Sequence, residues 1–432
     1  MSDPLAPFSV RAPTGIDAEL RMLISNKKPR LLFLVTEDWY FWLHRLSLAQ
    51  FARASGYEVS VATRVQDHGS RIAAEGFKVI PITLVRASLN PIAECSALAE
   101  LVRIYKAEKV DIVHHVGVKP ILYGSLAARI ARIDAVVNMF AGLGYIYTGS
   151  SWYHRGLRGI MSLLLRGVFA STYTIALFQN ADDYEALRSR GVVRPQRSAV
   201  IRGSGVDERM FVPTPEADGD PVVLLAARML WDKGIGEFIE AAKATKRRGI
   251  RARFVLVGIP DTSNPSSIPE NQLRAWQDAG LAEWWGHREE MPSVLAQAHI
   301  VVLPSYREGL PKVLLEAAAC GRPVVTTDVP GCREVVRNGL NGFIVPVRDS
   351  DALVEALARL IDDPALRRRM GACGRRIVEE AFTAEIVTAQ TIQLYRKLLG
   401  GVRTRSAIEL RCSDDGHGEP LSAGNQIAES HL

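Results

Sequence analysis

Leu31-Leu32-Phe33-Leu34-Val35-Thr36-Glu37-Asp38 begins a pattern that repeats along the chain. The run is short and continuously apolar, as expected of a strand buried on both faces. An amphipathic stretch follows to Ser55, Gly56 ends it, and a second apolar run is centred on Val59 and Val61. Further strands are read at 79–82 and 110–114, with an amphipathic helix at about 90–107 between them. A short strand at 199–201 closes this half. The order then restarts with strands at 222–226, 253–257, 299–303, 323–326 and 342–345, separated by helical stretches such as 236–247. Strands alternating with helices predict parallel sheets covered on both faces. The fold class is therefore α/β, with two doubly wound units joined by the Pro-bearing stretch Phe211-Val212-Pro213-Thr214-Pro215. The expected division is a loose extension over 1–28, a first unit over 29–212 and a second over 213–385. A terminal helix over 386–401 and a polar, aperiodic tail over 402–432, read as disordered, complete it. In such sheets ligands bind beyond the carboxyl ends of the strands, and here also between the units.

Composition bounds the function. The 432 residues are 47% hydrophobic and 23% charged, which excludes a mostly disordered or fibrous chain. Fifty-three basic against 47 acidic residues leave a net charge of +6, which favours anionic partners. The basic residues are interspersed with acids instead of forming a face with stacking aromatics, so nucleic acid is not an expected partner. The five cysteines never fall as C-x-x-C, so neither a disulfide framework nor a structural zinc site is expected, and a reducing compartment is. No apolar leader follows Asp3, Pro4 and Pro7, and no 18-residue uncharged apolar window occurs. The expected location is cytoplasmic.

The chemistry concentrates in Pro304-Ser305-Tyr306-Arg307-Glu308-Gly309-Leu310-Pro311-Lys312-Val313-Leu314-Leu315-Glu316. A strand ends, a loop follows, and Pro311 suits the first turn of a helix. Amides at Gly309, Leu310 and Lys312 would meet an anion there, favoured by the helix dipole. Glu308 can accept hydrogen bonds from sugar hydroxyls, and Glu316 can hold the vicinal hydroxyls of a ribose. The competing reading is a capping loop with two solvated glutamates. Arg228 and Lys233 follow the strand at 222–226 and make a clamp for a diphosphate, stabilising it as a leaving group. Taken alone, they are equally a solvated surface pair.

Arg228 with Lys233-Gly234, the Glu308-x7-Glu316 pair within EGLPKVLLEAAACGRPVV, TTDVPGCREVV and NGFIVP together resemble glycosyltransferase family 4. The resemblance spans roughly residues 30–400 and is strongest in the second half. It implies two Rossmann-like domains facing a central cleft (GT-B type) and retaining transfer from a nucleotide sugar without a metal or other cofactor. By position it places Arg228 and Lys233 on the donor diphosphate, Glu308 on the donor sugar and Glu316 on the ribose. The stretch at Gly309, Leu310 and Pro311 would meet the phosphates or sugar, with Gly205 near the donor at the domain junction. The glycines of Gly203-Ser204-Gly205 are also consistent with a plain turn.

The first half departs from the family's common Gly-rich loop: Trp39-Tyr40-Phe41-Trp42-Leu43-His44-Arg45 stands in its place. This resembles a polysaccharide-assembly subgroup, as do His114-His115-Val116-Gly117-Val118-Lys119-Pro120 and Gly142-Leu143-Gly144-Tyr145. The resemblance makes His44, Arg45, Lys119 and Tyr145 acceptor-side residues and implies a lipid-linked saccharide acceptor. His114 and His115, at the expected end of a strand, face the cleft in this reading, one of them touching the donor sugar or polarising a hydroxyl; two structural histidines are the equal alternative. At about 100° per residue, Arg155, Arg158 and Arg166 share one stripe, and Leu157, Ile160, Met161, Leu164 and Val168 the opposite one. Beside Trp152 and Tyr153, such a helix suits peripheral contact with the anionic inner face of a membrane; a helix covering its own sheet gives the same pattern. A nucleotide-sugar epimerase of the same two-domain shape and a non-catalytic sugar-nucleotide-binding protein are the alternative functions.

Overall fold

The computed structural model describes residues 28–86, 90–143, 152–170, 174–262 and 264–414. The first sheet contains β1 (Arg30–Glu37), β2 (Glu58–Arg64), β3 (Lys78–Pro81), β4 (Ile112–Val116), β5 (Ala135–Phe140), β6 (Thr174–Phe178) and β7 (Ser198–Val200). The second contains β8 (Val222–Ala226), β9 (Arg253–Val257), β10 (Glu283–Trp284), β11 (Ile300–Leu303), β12 (Val324–Thr327) and β13 (Gly342–Val345). Their orders are β3-β2-β1-β4-β5-β6-β7 and β10-β9-β8-β11-β12-β13, and all named pairs are parallel. The fold is two Rossmann-like α/β domains. In each, the order reverses beside the first strand, between β1 and β4 and between β8 and β11. Those switch points are where such sheets leave a crevice for ligands.

Continuous apolar runs account for the central strands. Leu31 to Val35 and Val222 to Leu225 are buried because helices cover both faces of each sheet. Leu31 and Phe33 face one layer and Leu32 and Leu34 the other. β5, β6 and β10 were not separated from their surroundings by the sequence reading.

The expected terminal boundary differs. The last helix runs Ala384–Asp414, through the stretch read as a disordered tail from 402; residues 403–412 contain neither Gly nor Pro to stop it. Its residues Val387, Ile392, Tyr395, Leu398 and Leu399 join the core of the first domain. The chain thus enters the second domain after β7 and returns at Thr383, where Val206 and Thr383 form an isolated parallel bridge. Among the described residues, no helix is long and apolar enough to cross a membrane.

Candidate active site

β11 delivers the loop Pro304 to Gly309, and the helix Lys312–Ala319 starts after Pro311 as its N-cap. Glu308 is held by two groups on its own domain: Ser305 Oγ donates to Oε1 at 2.6 Å, and Lys233 Nζ pairs with the same oxygen at 2.6 Å. The expected diphosphate cation and the expected sugar-binding carboxylate therefore meet as an ion pair. Arg228 lies beyond the end of β8, with Nη1 2.6 Å from Asp261 and its guanidinium 5.6 Å from the Trp39 ring of the opposite domain. Glu316 is buried, and its carboxylate is 3.2 Å from Lys312 Nζ. Lys233, Glu308 and Glu316 thus stand at one helix start at the second switch point, with Arg228 beyond the end of the neighbouring β8.

β1 faces them with the helix Asp38–His44. His44 lies against Tyr40, ring centroids 4.4 Å apart and the planes tilted by 34°. Burial, and then the charges of Arg45, Lys312, Arg228 and Lys233, hold its imidazole well below the ordinary histidine value. It is therefore neutral at pH 7 and lies within the field of cations from both domains. Arg45 is 2% exposed, and its Nε and Nη2 have no hydrogen-bond partner among the described residues.

Several expected site residues lie elsewhere. His114 and His115 are inside β4, not beyond it, because the strand runs to Val116, two residues later than its sequence suggested. Alternate residues point to opposite faces. His114 Nδ1 is 2.5 Å from Tyr395 Oη in one layer. In the other layer, His115 lies 2.9 Å from Tyr105 Oη and 2.7 Å from Asn138 Oδ1. Burial lowers both imidazoles, His115 to about 4. They are core residues, and neither reaches the cleft. Gly205, at φ +72°, packs against the start of the last helix, where a Cβ would lie 2.6 Å from Ala384 Cα; the domain crossing itself requires glycine there. Lys119 is taken up by Glu94 at 2.7 Å and the Val85 carbonyl at 2.6 Å. Tyr145 lies outside the described residues. Leu310 is buried, and Gly309 turns its carbonyl toward the first domain, accepting from Asn180 Nδ2 at 2.6 Å.

The sequence pattern assigned no side-chain role to Asp38, Trp39, Lys312, Asn180, Asp183 or Arg307. Asp38 Oδ2 accepts from the amides of Gln66, His68 and Gly69, fixing the loop after β2 beside the cleft. Lys312 and Arg307 were visible as cations inside the decisive motif. Asn180 and Asp183 follow β6, a strand that was not recognised, so nothing marked them as cleft residues.

Two family models match the chain: "Glycosyl transferase 4-like" over residues 30–179 and "Glycosyl transferases group 1" over 220–363. The Campylobacter jejuni N,N'-diacetylbacillosaminyl-diphospho-undecaprenol alpha-1,3-N-acetylgalactosaminyltransferase is 29% identical, covering 80% of this chain and 92% of that one. The Escherichia coli UDP-Gal:alpha-D-GlcNAc-diphosphoundecaprenol alpha-1,3-galactosyltransferase is 28% identical over 68% of this chain and 78% of its own. Among solved structures, sucrose-phosphate synthase from Thermosynechococcus elongatus superposes with a TM-score of 0.71 at 21% identity, covering 87% of this chain and all of that one. Anabaena HepE in complex with UDP and glucose superposes at 0.68 and 19%, covering 84% and 98%. One model matches each domain, and the fold and motif residues agree with both: the chain is a glycosyltransferase belonging to family 4, with the two-domain GT-B architecture.

Proposed function

We propose that this glycosyltransferase moves a hexose or N-acetylhexosamine from a UDP-sugar, with retention of configuration, onto a polyprenyl-diphosphate-linked saccharide during surface-polysaccharide assembly. The observation that carries the donor half is that Lys233, Glu308 and Glu316 stand at the helix start after β11, while Arg228, Lys233 and Lys312 all act on His44 of the opposite domain. Arg228 and Lys233 neutralise the departing diphosphate, charge stabilisation that acts most strongly in a water-poor cleft. Glu308 accepts from donor-sugar hydroxyls, and Glu316 from the ribose. Neutral His44 accepts a hydrogen bond from a hydroxyl on the opposite wall. No step in this scheme calls on a metal. The printed names of the two relatives, both acting on diphospho-undecaprenol saccharides, support the acceptor class.

The surface of the first domain supports a membrane-bound acceptor. In the helix Trp152–Phe169, Leu165 and Phe169 pack inward, whereas Trp152 is 79% exposed, Leu163 68%, Ile160 61% and Leu164 51%. Part of the apolar stripe expected to cover the sheet thus faces outward, with Arg155 and Arg166 also exposed. An apolar strip beside arginines suits the interface of an anionic bilayer.

The test is transfer of radiolabelled sugar from a panel of UDP-, GDP- and ADP-sugars to a polyprenyl-diphosphate saccharide, with and without EDTA, product anomericity read by NMR. Transfer from one UDP-sugar with retained configuration, unaffected by EDTA, is the expected result. Inversion, a metal requirement or exclusive use of another nucleotide would each overturn the corresponding part. Sedimentation with phosphatidylglycerol vesicles, lost in Leu163→Asp, tests the membrane face; equal sedimentation of both proteins would remove it.

A further inference from the structure

Glu308 sits in its own domain, but the residues on either side of it are fastened to the other one. Arg307 Nη2 donates to Asp183 Oδ1, across the cleft. Gly309 accepts at its carbonyl from Asn180 Nδ2 at 2.6 Å. Asn180 and Asp183 are themselves fixed: Asn180 caps the helix Ala181–Arg188 by accepting from the Asp183 amide at 2.7 Å, and its Nδ2 also reaches Asp183 Oδ2 at 3.2 Å. Asp183 is 1% exposed. The approach is too close for any side chain on Gly309, since a Cβ there would collide with the Ala141 carbonyl and stand 3.0 Å from Gln179 Oε1. From the other side, a Cβ on Gly142 would lie 3.3 Å from Gly309 Cα. The ends of β5 and β6 therefore form a mould for the segment Arg307–Gly309.

We propose that Asp183 and Asn180 are positioning residues that set Glu308 only when the two domains are closed on each other. The proposal rests on the reading of Glu308 as the donor-sugar contact. Opening the cleft removes the anchors of Arg307 and Gly309 together, so Glu308 keeps Lys233 and Ser305 but loses its fixed place over the sugar. Other links across the cleft, such as Arg71 with Glu289 and Arg333 with Asp182, join exposed side chains and do not flank a donor contact. The Asp183–Arg307 pair, with Asp183 buried and Arg307 partly so, differs in both respects. Arg307 Nε, buried without a partner, leaves the guanidinium dependent on Asp183 for its neutralisation.

The experiment compares Asp183→Asn, Arg307→Gln and the double variant in steady-state transfer, alongside UDP affinity by calorimetry and thermal melting. Arg307→Gln approaches the pair from the other domain and remains informative if Asp183→Asn folds poorly. The expected result is a kcat at least ten-fold lower in each single variant, no further fall in the double, and UDP affinity within two-fold of the parent. Arg307→Lys, which keeps the charge, should recover most of the loss. An unchanged kcat, losses that multiply in the double variant, or UDP affinity falling in step with kcat would overturn the proposal. Glu308→Gln is measured beside them: full activity in that variant would overturn the reading of the site itself. A dead Glu308→Gln beside a normal Arg307→Gln would reject the positioning role alone.

Discussion

Replacing Glu316 by glutamine should weaken UDP binding by about 1–3 kcal/mol while leaving the fold intact. The carboxylate is buried in the helix Lys312–Ala319, and its ion pair is with Lys312 at 3.2 Å on the same helix. A ribose offers two vicinal hydroxyls, and each hydrogen bond to a charged acceptor is worth roughly 1.5–3 kcal/mol. Glutamine keeps one carbonyl acceptor at nearly the same volume, and Lys312 already competes for the carboxylate, so about a third to a half of the gross value survives as loss. That corresponds to an affinity about five- to 150-fold lower. Isothermal titration calorimetry with UDP measures it directly. The sharper readout uses UDP lacking the 2′ and 3′ hydroxyls in a thermodynamic cycle. The parent protein should lose affinity for that ligand, and Glu316→Gln should lose little more. Unchanged UDP affinity in Glu316→Gln, or losses from protein and ligand that add in full, would refute the assignment.

Lys233→Met should reduce turnover by about 10²–10³, roughly 2.7–4 kcal/mol, as expected when one group stabilising developing charge is removed; steady-state kinetics with an unchanged melting temperature checks it, and full activity contradicts the clamp. Stability should fall on acidification in a window set by the buried histidines. Burial lowers the His115 pKa from 6.5 to about 4, so below pH 6.5 the unfolded chain binds the proton first. Its contribution, about 3 kcal/mol from the size of the shift, is complete above pH 6.5 and declines toward pH 4. His114 is lowered too and acts in the same direction. Urea melts between pH 4 and 7.5 should show a slope that is reduced in His115→Gln; identical slopes would show that this imidazole titrates alike in both states.

The sequence revealed the two sheets wherever an apolar run was bounded by Gly or by a charged turn, as at Leu31 to Val35 and Val222 to Ala226. It did not reveal β5, although Asp134 and Gly142 flank it, or β6, whose flanks carry no comparable signal, and with β6 went Asn180 and Asp183. The donor side was readable because its chemistry is local: Glu308, Glu316 and Lys312 lie in one strand–loop–helix segment. The acceptor side was not, because it depends on strand register. A two-residue error at the end of β4 turned two core histidines into expected cleft residues. Tyr395, which holds His114 from a helix nearly three hundred positions later, leaves no mark near either residue. The difference between Gly205 as a donor contact and as a packing point against Ala384 is likewise long-range, and no spacing rule expresses it.

The returning helix Ala384–Asp414 has a consequence for synthesis on the ribosome. The first domain is discontinuous: Tyr57, Phe33 and His114 wait for Tyr395, which emerges only after the entire second domain has been made. Vectorial folding therefore completes the second domain first, although its sequence comes later, and leaves a groove on the nascent first domain exposed in the meantime. Chimaeras that exchange domains with a relative must carry this helix along with residues 30–200, or the transplanted half arrives without one wall of its core.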